Sequence, residues 1–157
     1  MTTNTGIMSG VELIIFTGLP AAGKSTYYRE HFAETHVHVS KDLMPNATRR
    51  DEKQQRLIDE ALKAGQSVVV DNTNPSVAVR ASLIAIGRQH GARVIAYFFD
   101  CPIRACIMRN RNREGKARVA EVAIFTAAKR LVVPGVGEGF DEVHVIQCTT
   151  LADSSGE

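Results

Sequence analysis

Gly18-Leu19-Pro20-Ala21-Ala22-Gly23-Lys24-Ser25-Thr26 is the stretch that decides the fold. It matches the phosphate-loop (Walker A) pattern G-x-x-x-x-G-K-S/T, and its setting counts as much as its letters. The apolar run Leu13–Phe16 before it reads as a buried strand, and the residues after it read as a helix. The glycines allow a turn so tight that successive backbone N–H groups point into one concavity. That concavity and the helix N-terminus stabilise anionic phosphates. Gly18, Ala21, Ala22, Gly23, Lys24, Ser25 and Thr26 are therefore expected to hold the phosphates of ATP. Lys24 supplies an ammonium for the β- and γ-phosphates, and the Ser25 hydroxyl is expected to ligate Mg²⁺.

Working outward, the chain repeats strand then helix. Short apolar runs at Leu13–Phe16, Val68–Val70 and Val94–Phe99 suit strands covered on both faces, and His36-Val37-His38-Val39 alternates as a strand nearer an edge does. Val143–Ile146 reads as a last strand. Between them, Leu57, Ile58, Ala61 and Leu62 form one helical stripe that Gly65 can stop. Val79, Leu83 and Ile86 form another, which Asn74 can cap with Pro75 in its first turn. Pro102 opens a third helix, and Val119, Val122 and Thr126 lie on a fourth. This pattern predicts one α/β domain over residues 11–148 with a mainly parallel sheet, flanked by polar, mobile tails at 1–10 and 149–157. Ligands of such sheets bind at the carboxyl ends of the strands.

Composition agrees and excludes several classes. The 157 residues are 44% hydrophobic and 23% charged, enough apolar material for a core. The longest apolar run, Val94–Phe99, is six residues, too short to span a membrane. The start MTTNTGIMSG has no basic and apolar leader pattern, so a cytoplasmic protein is expected. Cys101, Cys106 and Cys148 are odd in number and lack C-x-x-C spacing, which predicts neither a disulfide framework nor a zinc ribbon; Cys101 and Cys106 read as small core residues. A regulatory GTPase would need D-x-x-G and N-K-x-D elements, yet the one D-x-x-G is Asp153–Gly156 in the polar tail and N-K-x-D is absent. A compact kinase remains.

A kinase needs a base, an acceptor site and charge compensation. Ser40-Lys41-Asp42 ends the second strand and brings a carboxylate to the sheet's carboxyl edge, where Asp42 reads as a general base or, equally, as a helix cap. Asp71-Asn72-Thr73-Asn74-Pro75 ends the third strand. Asp71 reads as an acid that orients a Mg²⁺-bound water, while Asn72 and Thr73 offer polar groups to an acceptor; a hydrogen-bonded turn is the bland alternative. Arg104 to Arg118 carries six basic residues against Glu114 alone, a net +5 that leaves the rest of a +2 chain at −3. Arg109 and Arg113, four apart, are expected to share a helical face and act as a lid on the transferring phosphoryl group.

Together GLPAAGKST, VSKD, VVVDNTNP, RNRNREGKARV and KRLVVP…EGFDEV resemble the kinase domain of polynucleotide kinases, and are especially similar to the kinase half of polynucleotide kinase–phosphatases. The resemblance runs from about Val11 to Val145. It implies a P-loop kinase with strand order 2-3-1-4-5 and transfer of the γ-phosphate of ATP to a 5′-hydroxyl of DNA or RNA. It assigns the base to Asp42, the lid pair to Arg109 and Arg113, and acceptor binding to Asn72, Thr73 and Asn74. Lys41 stands where the family's S-R-D element has Arg, which removes a planar fork. Leu43-Met44-Pro45 stands where phage-type members place an acceptor-gripping Arg, with Arg49 and Arg50 following as substitutes.

The acceptor stays open between a polynucleotide 5′-hydroxyl and a small metabolite or nucleoside-like hydroxyl, with a nucleotide sensor lacking turnover as a third reading. The +2 charge and the absence of an aromatic run favour the small acceptor. His36 and His38 read as surface polar residues, Tyr27 and Tyr28 as packing, and Gly135, Gly137 and Gly139 as a flexible connection.

Overall fold

The computed structural model describes residues 10–44 and 48–148, so Pro45 and all but Gly10 of the two tails lie outside the described residues. Five parallel strands, β1 (Glu12–Gly18), β2 (His36–Val39), β3 (Ser67–Val70), β4 (Arg93–Asp100) and β5 (Glu142–Gln147), stand in the order β2-β3-β1-β4-β5. Their alternation divides the core into two layers. Leu13 and Ile15 of β1 face one way, toward Ile58 of α2 (Arg50–Lys63) and Leu83 of α3 (Val77–Gln89). Ile14 and Phe16 face the other way, toward Tyr28 of α1 (Lys24–His31), Cys106 of α4 (Ile103–Arg111) and Ile124 of α5 (Glu121–Arg130). With helices on both faces, the central strands read as unbroken apolar runs. The expected parallel sheet with strand order 2-3-1-4-5 and helices on both faces is the one observed.

Where the chain leaves its helices, local chemistry is explicit. Gly65, at φ 82°, follows α2; its N–H donates to Leu62 and that of Gln66 to Ala61, the paired bonds of a Schellman stop. The start of α3 differs from expectation. Ser76, not Asn74, caps it by accepting from the Val79 N–H at 3.2 Å, and Pro75 lies before the cap.

The stripes also shift. Leu57 is 44% exposed, and the inner face of α2 is completed by Gln54. Val79 is exposed, while α3 turns Arg80, Leu83, Ile84 and Gly87 inward. Val122 and Thr126 are exposed and Val119 precedes α5, whose buried residue is Ile124. Apolar letters alone did not reveal these faces, because β-branched residues tolerate a helix surface while polar Gln54 and Arg80 find partners inside.

The cysteine expectation is corrected. Cys101 and Cys148 form a disulfide, Cα atoms 5.1 Å apart, leaving Cys106 as a buried thiol. Parallel register explains the pairing: Asp100 of β4 stands opposite Gln147 of β5, so the residues that follow them meet. Among the described residues, no helix is long and apolar enough to cross a membrane.

Candidate active site

The loop between β1 and α1 carries positive φ at Ala21 (68°) and Gly23 (97°). Glycine adopts that region freely, whereas for an L-residue it costs about 1 kcal/mol, so Ala21 is held there by its buried surroundings. Gly23 meets a second constraint: a Cβ there would stand 3.0 Å from a guanidinium nitrogen of Arg109. At Gly18 a Cβ would stand 3.0 Å from that of Phe99.

Lys24 folds back on this loop, donating to the carbonyls of Gly18 at 3.0 Å and Leu19 at 2.8 Å. It is nearly buried. Desolvation, with Arg113 adding to it, lowers its pKa to about 8 against the opposing pull of Asp71 and Asp42. Ser25 Oγ donates to Asp71 Oδ2 at 2.8 Å, and His38 Nε2 lies 2.8 Å from the same oxygen. Burial pushes the Asp71 carboxyl upward, but the hydrogen bonds from His38 and Ser25 and the charge of Lys24 prevail and hold it below the usual carboxylate range. Adjacent hydroxyl and carboxylate oxygens suit a hard cation that keeps several waters, so Ser25 and Asp71 fit Mg²⁺.

The turn after β2 supplies the proposed base. Ser40 is buried and its hydroxyl accepts from the Asp42 N–H at 3.2 Å, so the carboxylate of Asp42 is left at an exposed position within electrostatic reach of Lys24. The capping part open to Asp42 falls to Ser40 instead. Lys41 pairs through its ammonium with Asp51, and its N–H donates to Asn72 Oδ1 at 2.9 Å. The Asn72 amide also donates to Gln54 Oε1 at 2.7 Å, tying the end of β3 to the base turn and to α2.

Asn74 is buried with φ 43°; its amide donates to Phe16, and its carbonyl accepts from Thr17 and from Arg80. Thr73 is half-buried and its carbonyl accepts from the Gly18 N–H at 3.2 Å. The end of β3 therefore lies directly beside the phosphate loop. Arg49 pairs weakly with Glu52, and Nε of Arg50 is buried without a hydrogen-bond partner.

The basic segment divides. Helix α4 stops at Arg111, so Arg109 and Arg113 do not share one helix as their spacing predicts. Nevertheless both line the cavity of about 630 Å³ outside the phosphate loop, with Ala22, Thr26, Tyr27 and Phe99. Arg111 turns away to Glu121 at 2.6 Å. Buried Asn110 closes the excursion at its neck, accepting from the Val119 N–H at 2.9 Å and donating to its carbonyl at 2.7 Å, while Arg113 donates to Ala117. Lys24, Arg109 and Arg113 all reach the Cys106 thiol electrostatically, although burial dominates and raises its pKa. Arg109 and Arg113 thus share a cavity with the phosphate loop that carries Lys24.

Several of these residues escaped sequence reasoning. His38 is no surface histidine: it reaches Asp71 and stacks on Tyr28, ring centroids 3.9 Å apart. Its signal was its place two residues before Ser40, on a strand that pairs directly with the one ending just before Asp71. Tyr27 and Tyr28 both pack against the core as expected, and Tyr27 also lines the cavity. The Gly135–Gly139 connection is anchored, because Glu138 grips buried Arg80 at 2.8 Å and 2.9 Å.

A family model described as "AAA domain" matches residues 13–132. The chain is 28% identical over 156 aligned residues to a bifunctional polynucleotide phosphatase/kinase of Schizosaccharomyces pombe, covering 90% of this chain and 35% of that protein. It is 27% identical to an L-seryl-tRNA(Sec) kinase of Methanococcus maripaludis, covering 88% of this chain and 59% of that one. The chain therefore spans about a third to three fifths of the length of these relatives. A sugar kinase from Janibacter sp. HTCC2649 superposes with a TM-score of 0.64 at 17% identity, covering 87% and 85% of the two chains, a likeness of fold.

Proposed function

Because this chain belongs to the AAA domain family and has a P-loop kinase fold, we propose that it transfers the γ-phosphate of ATP to a hydroxyl, with the 5′-hydroxyl of a polynucleotide as the favoured acceptor. One observation carries the reading: the Lys41 N–H bond to Asn72 ties the turn bearing Asp42 to the strand end whose Asp71 accepts from Ser25, while Arg109 and Arg113 line the cavity outside the same phosphate loop. A base, a phosphate-loop ammonium and a lid cation then surround one reaction point.

The steps follow from these groups. The loop amides and Lys24, released from the Gly18 and Leu19 carbonyls, bind the β- and γ-phosphates. Asp42 accepts the acceptor's proton as its oxygen bonds to the γ-phosphorus, and the bond to the bridging oxygen breaks to leave ADP. Arg109 and Arg113 stabilise the charge spread over the transferring group. Ser25 and Asp71 would hold Mg²⁺, which neutralises phosphate charge when bound. Lys41 and Thr73 bind the acceptor, with Asn72 and Asn74 fixing that loop from behind.

The similarity to the polynucleotide phosphatase/kinase supports the acceptor class. The +2 net charge supports a second reading, a small hydroxyl acceptor. Incubation with γ-labelled ATP and Mg²⁺ against 5′-hydroxyl DNA, 5′-hydroxyl RNA and a panel of nucleosides and sugars separates them. Label on the oligonucleotides is the expected result; label on small molecules alone would shift the assignment to the second reading.

A further inference from the structure

Asp71 Oδ2 is approached from two sides, by the Ser25 hydroxyl and by His38 Nε2, each at 2.8 Å. Asp71 is almost fully buried, whereas the His38 side chain is 21% exposed and could have turned to water. Its ring is instead parallel to Tyr28 within 15°. Tyr28 stands three residues after Ser25 on α1, and its hydroxyl donates to the carbonyl of His36 on β2. A closed circuit results, running from Ser25 along α1 to Tyr28, across to His38, on to Asp71 and back to Ser25. The helix that presents phosphate-binding N–H groups and the strand end that presents the carboxylate are thereby braced through one imidazole.

We propose that His38 is a positioning residue that fixes the Asp71 carboxylate, so that Ser25 and Asp71 present a preformed oxygen pair to a Mg²⁺–nucleotide. This rests on the proposed nucleotide chemistry of the site. To donate to a carboxylate, Nε2 of His38 carries its proton, and the Tyr28 shelf keeps the ring from rotating away. Any flat side chain would satisfy packing on Tyr28; only one that carries a hydrogen-bond donor at this reach also satisfies Asp71.

The test is calorimetric titration of ADP into wild type, His38→Ala and His38→Gln, in EDTA and at stepped Mg²⁺. Gln carries an amide N–H at a reach similar to Nε2. His38→Ala will raise the Mg²⁺ concentration for half-maximal tightening about tenfold while ADP affinity in EDTA stays within about twofold, and His38→Gln will recover most of the loss. Unchanged Mg²⁺ dependence in His38→Ala would overturn the proposal. So would His38→Gln performing no better, or loss of ADP binding in EDTA, which marks a merely structural part. Wild type that binds ADP without any Mg²⁺ effect removes the metal reading and this inference with it. A failed acceptor assay with intact Mg²⁺ coupling strikes only the acceptor assignment.

Discussion

Lys24 shows how a single residue can carry opposing demands. Burial, countered by Asp71 and Asp42, leaves its folded-state pKa at about 8 against an ordinary 10.5. Between those values the unfolded chain holds a proton that folded Lys24 has lost, so this residue makes stability rise with pH across that window and penalises folding fully below it. Phosphate binding has the opposite slope, because it needs the ammonium. ADP affinity of the free protein will therefore fall as pH rises through about 8, and Lys24→Met will flatten that slope; titrations at stepped pH read both. Asp42 makes a separate prediction at this scale. Asp42→Asn will lower phosphoryl transfer by about 10²–10⁴ with ATP affinity unchanged. Transfer that survives intact in single-turnover assays would remove Asp42 as the base.

At the scale of elements, the unexpected group is Arg80, fully buried in the first turn of α3. It ties three segments together: its own helix, the Asn74 carbonyl after β3, and Glu138 in the turn Val136–Glu138 that leads to β5. Burial pushes the Glu138 carboxyl up, but Arg80 and the Gly135 N–H outweigh it and hold it low, so the pair's stabilisation is present above the ordinary carboxylate range and lost as pH falls through the lowered value. Removing one partner strands a charge inside. Glu138→Ala will cost about 3–5 kcal/mol by urea denaturation, whereas Glu121→Ala, at the exposed Arg111 pair, will cost little. Gly87 is a second tight element contact, since a Cβ there would stand 2.7 Å from Val94 Cγ2. Gly87→Ala will lower stability by about 1–3 kcal/mol in the same assay, because α3 must lift off the sheet.

For the whole molecule, the Cys101–Cys148 bridge joins the carboxyl ends of β4 and β5 across 47 residues of chain, and Cys148 lies on the wall of the nucleotide-side cavity. Closing a loop of that length restricts the unfolded chain. Reduction, or Cys148→Ser, will lower unfolding free energy by about 2–4 kcal/mol; coincident urea midpoints with and without reductant would show that the bridge contributes nothing. The charge balance also takes on spatial meaning. Of the basic residues from Arg104 to Arg118, Arg109 and Arg113 line the cavity while Arg111 pairs with Glu121, so the +5 stretch is not directed as a whole toward the proposed site.

The sequence by itself determined the layered α/β architecture and the phosphate loop. Both are local statements: buried strands read as apolar runs, and a loop that wraps phosphate needs glycine, lysine and hydroxyl at fixed spacing. The strand order followed from the resemblance of several separated motifs. Tertiary structure decided what spacing does not encode. Parallel pairing of β2 with β3 brings His38 onto Asp71, and that of β4 with β5 brings Cys101 to Cys148. Polar residues such as Gln54, Arg80 and Asn110 are buried because partners from distant segments satisfy them, and no single segment names its partner.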